Sequence, residues 1–163
     1  VIVANLIPYK GHDDLICALQ KINSDLPNWR LLIVGKDTGI KKYLEDKIKV
    51  SLLEKQIMFL GKIETVNSVL RCSDLAVLCS HQEGFSNAIL EYMASGLPVV
   101  ATDVGSNKML LSHDIKNIVE VGNIELQVPL IKSENKNKND LIFFILLITY
   151  IFIFNIYKKN NGR

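Results

Sequence analysis

Residues 80–105 read SHQEGFSNAILEYMASGLPVVATDVG, and the order of their features decides the fold. The pattern is a loop, a short helix and a buried strand. Ser86 or Asn87 stands where a side-chain oxygen accepts a hydrogen bond from the first free N–H groups of a helix. Leu90, Met93 and Ala94 recur at helical spacing and are expected to form the core face. Asn87, Glu91 and Ser95, at i, i+4 and i+8, form a separate polar face. Gly96 and Pro98 end the helix, and Val99, Val100 and Ala101 make a short apolar run suited to a strand covered on both sides. Glu83 then falls in the loop before the helix and Glu91 one turn inside it, both placed to face a ligand at the helix N-terminus. The free N–H groups and dipole of that terminus favour an anion. Gly84 lets a ligand reach the backbone without meeting a Cβ, and carboxylates accept hydrogen bonds from hydroxyl groups. An anion carrying hydroxyls suits this pattern.

The same rhythm extends outward. Residues 1–4, 29–34, 56–60 and 75–79 read as strands, and 118–121 as a sixth after the one at 99–101; 13–22, 40–53 and 66–72 read as helices, with Leu15, Ile16, Leu19 and Ile22 on the inner side of the first. Strands alternating with helices imply right-handed βαβ units, hence an α/β fold with a Rossmann-like parallel sheet covered by helices on both faces. Ligands of such sheets sit beyond the carboxyl ends of the strands. Gly11, Gly35, Gly61 and Gly84 all fall there, so one ligand is expected to touch four loops. With 163 residues the chain holds one ordinary domain, read here as 1–128, followed by a polar linker over 129–140 and an apolar tail over 141–163.

EGFSNAILE followed by ASGLPVVATDVG resembles the E-x7-E region of the retaining, nucleotide-sugar-dependent glycosyltransferases of family 4. Those enzymes have two Rossmann-like domains, the GT-B architecture. VANLIPYKGH (3–12) is similar to their opening phosphate loop, LLIVG (31–35) and FLG (59–61) to the strand ends beside the nucleotide base. The resemblance runs from Val1 to about Ser106. It implies that Glu83 and Lys10 act in catalysis, Glu83 beside the donor sugar and Lys10 on the diphosphate. Glu91 would hold the ribose hydroxyls, and the backbone of Phe85, Ser86 and Asn87 the diphosphate; Gly11, Gly35, Gly84 and Leu60 would complete the donor site. The family usually has an arginine five residues before the lysine, where this chain has Asn5, and a glutamate near Lys108 or Met109. The reaction implied is transfer of a sugar from a nucleoside-diphosphate sugar to an acceptor hydroxyl, with no cofactor and no metal. The acceptor, a carbohydrate or a lipid-linked one, would bind an N-terminal domain that this chain does not contain. Opening at Val1 directly on an apolar run, the sequence reads as the C-terminal, donor-binding half of a longer enzyme, inactive in transfer by itself. Two alternatives carry other expectations: a truncated, non-catalytic remnant that at most binds nucleotide, and a sugar-nucleotide epimerase of similar architecture.

Other classes are disfavoured. Nineteen basic against 17 acidic residues leave a net charge of +2, too balanced for a nucleic-acid partner. Cys17, Cys72 and Cys79 lack C-x-x-C spacing and read as reduced core thiols. His12, His81 and His113 are scattered without metal spacing, although His81 adjoins the ligand loop. Trp29 is expected to pack, and Asp103 is a candidate cleft residue past a strand end. Neither G-x-G-x-x-G, a Walker A pattern nor G-x-S-x-G occurs, which argues against NAD, P-loop and α/β-hydrolase chemistry. Residues 141–157 are apolar, and at about 1.5 Å per residue they reach the short edge of a bilayer span. They read either as a membrane segment or as the product of a frameshift in A/T-rich DNA; the protein is expected to be cytoplasmic, and in the first case to lie at the inner face of the membrane.

Overall fold

The computed structural model describes residues 1–23, 29–112 and 117–123. The linker expected over 129–140, the tail over 141–163 and the domain boundary at 128 lie outside the described residues. Among those described, no helix is long and apolar enough to cross a membrane.

Among the described residues six strands appear, all pairing in parallel: β1 (Ile2–Val3), β2 (Leu31–Val34), β3 (Ile57–Gly61), β4 (Ala76–Leu78), β5 (Val99–Thr102) and β6 (Ile118–Val119). The ladders run β1–β2–β3 and β4–β5–β6. Two further bonds join them. The Val1 nitrogen donates to the Leu75 carbonyl at 2.6 Å, and the Val77 N–H donates to the Val1 carbonyl at 2.9 Å. That is the slanted bonding of neighbouring parallel strands, so the order across the molecule is β3–β2–β1–β4–β5–β6. Strand order reverses between β1 and β4, where a doubly wound sheet opens its crevice.

The opening has a local cause. In the register set by Val1, the next rung would join the Val3 N–H to the Val77 carbonyl. Instead the Val3 N–H donates to the hydroxyl of Tyr92 at 2.7 Å. Tyr92 is fully buried on α4 (Asn87–Ala94). Its ring supplies apolar bulk under the parting strands, and its hydroxyl satisfies the N–H that the separation leaves without a strand partner.

The remaining helices are α1 (His12–Ile22), α2 (Lys41–Val50), α3 (Asn67–Arg71) and α5 (Asn107–Leu110). α1 buries Leu15, Ile16 and Leu19 against β1 and β2, as its periodicity implied, together with Ala18; the Ile22 side chain lies outside those described, and Trp29 packs on the same cluster. β4 and β5 are buried along their whole length, as expected of strands covered on both faces.

Three expectations are corrected. The core face of α4 is Ile89, Tyr92 and Met93; Leu90 is half-buried and Ala94 exposed. Both triplets share a helical period, and choosing between them needs the direction of approach of β4 and β5, which a helical repeat does not encode. Cys79 is buried and Cys17 half-buried, but Cys72 ends α3 in solvent and is not a core thiol. α5, a single turn, was not anticipated; no apolar repeat announces so short an element.

Candidate functional site

A cleft of about 370 Å³ opens at the carboxyl ends of the strands where β1 and β4 part. Its lining comes from all four loops the glycine pattern indicated: Asn5 and Lys10 after β1, Gly35 after β2, Lys62, Ile63 and Val66 after β3, and Glu83, Phe85 and Ser86 after β4. Asn87, Ala88 and Glu91 close it from the first turns of α4. The volume lies in the range of small-molecule sites.

Glu83 is held from two sides. Its Oε1 accepts a hydrogen bond from Lys10 Nζ at 2.7 Å and one from Ser80 Oγ at 2.6 Å. The side chains of Lys10 and Glu83 are 19% and 12% exposed, so water screens this pair far less than a surface pair. Ser80 is itself fixed: buried, its carbonyl accepts a 2.6 Å bond from Thr102 Oγ1. Asn107 Nδ2 donates to the Thr102 carbonyl at 2.9 Å, and Ser86 Oγ donates to Asn107 Oδ1. Ser80, Ser86, Thr102 and Asn107 are all buried. This chain of bonds anchors both ends of the Glu83 loop to β5 and α5, and each buried polar group finds a partner.

Ser86 therefore does not cap α4. It occupies the cap position, but its hydroxyl is committed to Asn107 and its N–H to Ser106 Oγ at 3.2 Å. The sequence reading missed Asn107 and Ser106 because their shared partner, Ser86, lies 21 and 20 residues upstream. Gly105 belongs to the same buttress. It has φ +54°, and a Cβ there would lie 2.3 Å from the Glu83 carbonyl oxygen, so only glycine lets α5 approach the loop this closely.

Gly11, Gly84 and Leu60 do not line the cleft, unlike the other site residues named from the sequence. Gly11 (φ +69°) is consumed by packing: its Cβ would sit 1.9 Å from the Cys79 carbonyl oxygen, where the first loop crosses the end of β4. Leu60 is skipped in the β2–β3 register, in which Ile33 faces Phe59 and Val34 faces Gly61. The residues that follow this irregularity, Lys62, Ile63 and Val66, are the ones in the cleft lining. Around Gly84 a Cβ would meet nothing within 4 Å, so the protein's own packing does not demand glycine there.

Asn5 spends its side-chain oxygen on the Lys36 N–H at 3.0 Å. Lys10 and Lys62 are the cations among the lining residues and Glu83 and Glu91 the anions. The first and fourth loops are also tied outside the cleft. The His81 N–H donates to the Tyr9 carbonyl at 2.7 Å, and His81 Nε2 lies 2.6 Å from Asp14 Oδ2. Behind the first loop, His12 is buried; neither ring nitrogen makes a well-formed hydrogen bond, although the ring lies beside the Ala4 backbone. Burial pushes its pKa down to about 4, so the ring is neutral at pH 7. Asp103 pairs with Lys108 at 3.0 Å and stays outside the cleft lining. Among the described residues, no group of three or more His, Cys, Asp or Glu side chains is arranged to hold a metal ion.

Residues 1–141 match the family model of glycosyl transferases group 1. The chain belongs to that family. For this group 1 chain the match carries the likeness past Ser106, where the sequence reading had it end. It is 31% identical over 142 residues to N-acetyl-alpha-D-glucosaminyl L-malate synthase of Bacillus anthracis, covering 84% of this chain and 37% of that protein. It is 32% identical over 107 residues to the lipopolysaccharide core biosynthesis mannosyltransferase LpsB of Rhizobium meliloti, covering 63% of this chain and 30% of that one. The chain thus spans roughly a third of these relatives. Among solved structures, HepE of Anabaena in complex with UDP-glucose superposes with a TM-score of 0.70 at 29% identity, over 80% of this chain and 36% of that one. The C-terminal domain of the group 1 protein LpcC from Francisella tularensis gives 0.70 at 30% identity, over 88% and 77%.

Proposed function

We propose that this chain is the donor-binding half of a retaining glycosyltransferase that moves a sugar from a nucleoside-diphosphate sugar to an acceptor hydroxyl. The observation that carries the reading is the meeting of Lys10, Glu83 and Glu91 in one cleft at the amino end of α4. Superposition on a C-terminal domain and on a UDP-glucose complex supports the same half and the same ligand class. In this reading the diphosphate lies against the start of α4, where helix dipole and free amides favour negative charge. Glu91 accepts from the ribose hydroxyls and Glu83 from those of the sugar. Lys10 and the amides stabilise the charge that grows on the departing diphosphate; no metal is assigned a part. The acceptor belongs to a separate domain, so the 163-residue chain is expected to bind nucleotide and transfer little sugar by itself.

Calorimetric titration with nucleoside diphosphates tests this. Binding that falls about tenfold or more in Glu91→Ala, with the melting temperature unchanged, is expected. Binding that ignores Glu91, or efficient transfer by the chain alone, would overturn the assignment.

A further inference from the structure

We propose that the Lys10–Glu83 pair discriminates a sugar-loaded nucleotide from the spent nucleoside diphosphate, loosening the site's hold once the sugar has gone. This rests on the donor reading above and concerns how that site tells its ligand from its product. The cation assigned to the diphosphate is already engaged, 2.7 Å from the Glu83 carboxylate. A phosphate must compete for it. Glu83 cannot simply swing aside, because Ser80 holds the same oxygen and Thr102 holds Ser80. With Asn5 in the first loop, the lining lysines only balance the lining glutamates, so no surplus side-chain cation offsets that competition.

A ligand with both a diphosphate and a sugar satisfies both partners at once. Its phosphate takes the ammonium, and its hydroxyls donate to the carboxylate so exposed. A nucleoside diphosphate satisfies Lys10 alone and leaves the Glu83 charge without its cation beside the phosphates, an arrangement costly for a carboxylate only 12% exposed. When the sugar leaves, the ion pair re-forms and displaces the product.

The test is titration of the full chain and of Glu83→Gln with matched pairs: UDP and UDP-glucose, GDP and GDP-mannose, ADP and ADP-glucose. For whichever pair the unaltered chain binds, the substitution is expected to tighten the nucleoside diphosphate about three- to tenfold and to weaken the sugar nucleotide at least as much. Opposite shifts are the signature, since a general loss of negative charge tightens both. Shifts of the same sign, or an unchanged or weaker nucleoside diphosphate, overturn the proposal. Should Glu83→Gln fail to fold, Ser80→Ala keeps both charges while releasing one anchor. It is expected to give the same opposite shifts at smaller size, and parallel shifts or none overturn the proposal equally. If no pair binds the unaltered chain, the nucleotide reading itself falls; binding without opposite shifts sinks only the discrimination.

Discussion

The two halves of the sheet contribute differently to the cleft. Loops of the β1–β3 half bring close backbone and neutral or basic groups: Asn5, Gly35, Ile63, and the lysines at 10 and 62. The β4–β6 half brings both carboxylates and the helix terminus, backed by the buried polar network through Ser80, Ser86, Thr102 and Asn107. One half is shaped mainly by apolar packing, the other by satisfied hydrogen bonds. The difference follows from what each side must hold still. A backbone wall needs only a tight core behind it, whereas a carboxylate with a set direction needs a hydrogen-bonded frame. The halves meet along a seam where Gly11 touches β4, Tyr92 bonds Val3, and Glu83 pairs with Lys10.

The comparison breaks most readily at that seam. Gly11→Val combines an unfavourable φ with a clash against the Cys79 carbonyl and is expected to cost roughly 4 kcal/mol or more. Circular dichroism should show little cooperative unfolding; a normal melting curve would mean the two halves can shift apart freely. Next in size is a pH effect carried by the first half. The folded pKa of His12 is about 4 against an ordinary 6.5, so between those values the unfolded chain takes up a proton that the folded chain refuses. Stability should therefore fall as pH drops from 6.5 towards 4, by at most about 3 kcal/mol. Urea titrations across that window should show it, and His12→Phe should flatten the slope. Tyr92→Phe keeps the ring but strands the Val3 N–H, for about 1–2 kcal/mol in the same urea titration. The least effect on folding is expected from Gly84→Ala: its Cβ enters open space, so the melting temperature should shift by less than the equivalent of about 0.5 kcal/mol. Gly84 stands outside the cleft lining, yet the family resemblance puts the ligand against its backbone, so nucleotide affinity should drop; unchanged affinity would remove Gly84 from the donor site.

Much of this was legible along the chain. Alternation of apolar runs with helical repeats is a local property, and it marked the strands, the longer helices and the four loops at one edge. The spacing of Asn87, Glu91 and Ser95 likewise implied a polar face on α4, and Asn87 and Glu91 do reach the cleft. Other residues have partners that no local rule shows. Ser86 looks like a helix cap to any local rule, because its competitor for the hydroxyl, Asn107, is distant in sequence. Gly11 looks like a phosphate-loop glycine, yet its lack of a Cβ is required by Cys79. Leu60 sits at a strand end, and a one-residue slip in pairing with β2 keeps it out of the lining.

By itself, then, the sequence determined the class of fold, the edge of the sheet where the cleft opens and the family to which the chain belongs, since repeat spacing and motif order are written in neighbouring residues. Only the tertiary structure decided that β1 adjoins β4 and parts from it over the Tyr92 hydroxyl, that Asn107 and Thr102 frame the Glu83 loop, and that Lys10 and Glu83 hold one another. These are contacts between residues tens of positions apart, and their geometry arises only when the packing of one half sets where the other can lie.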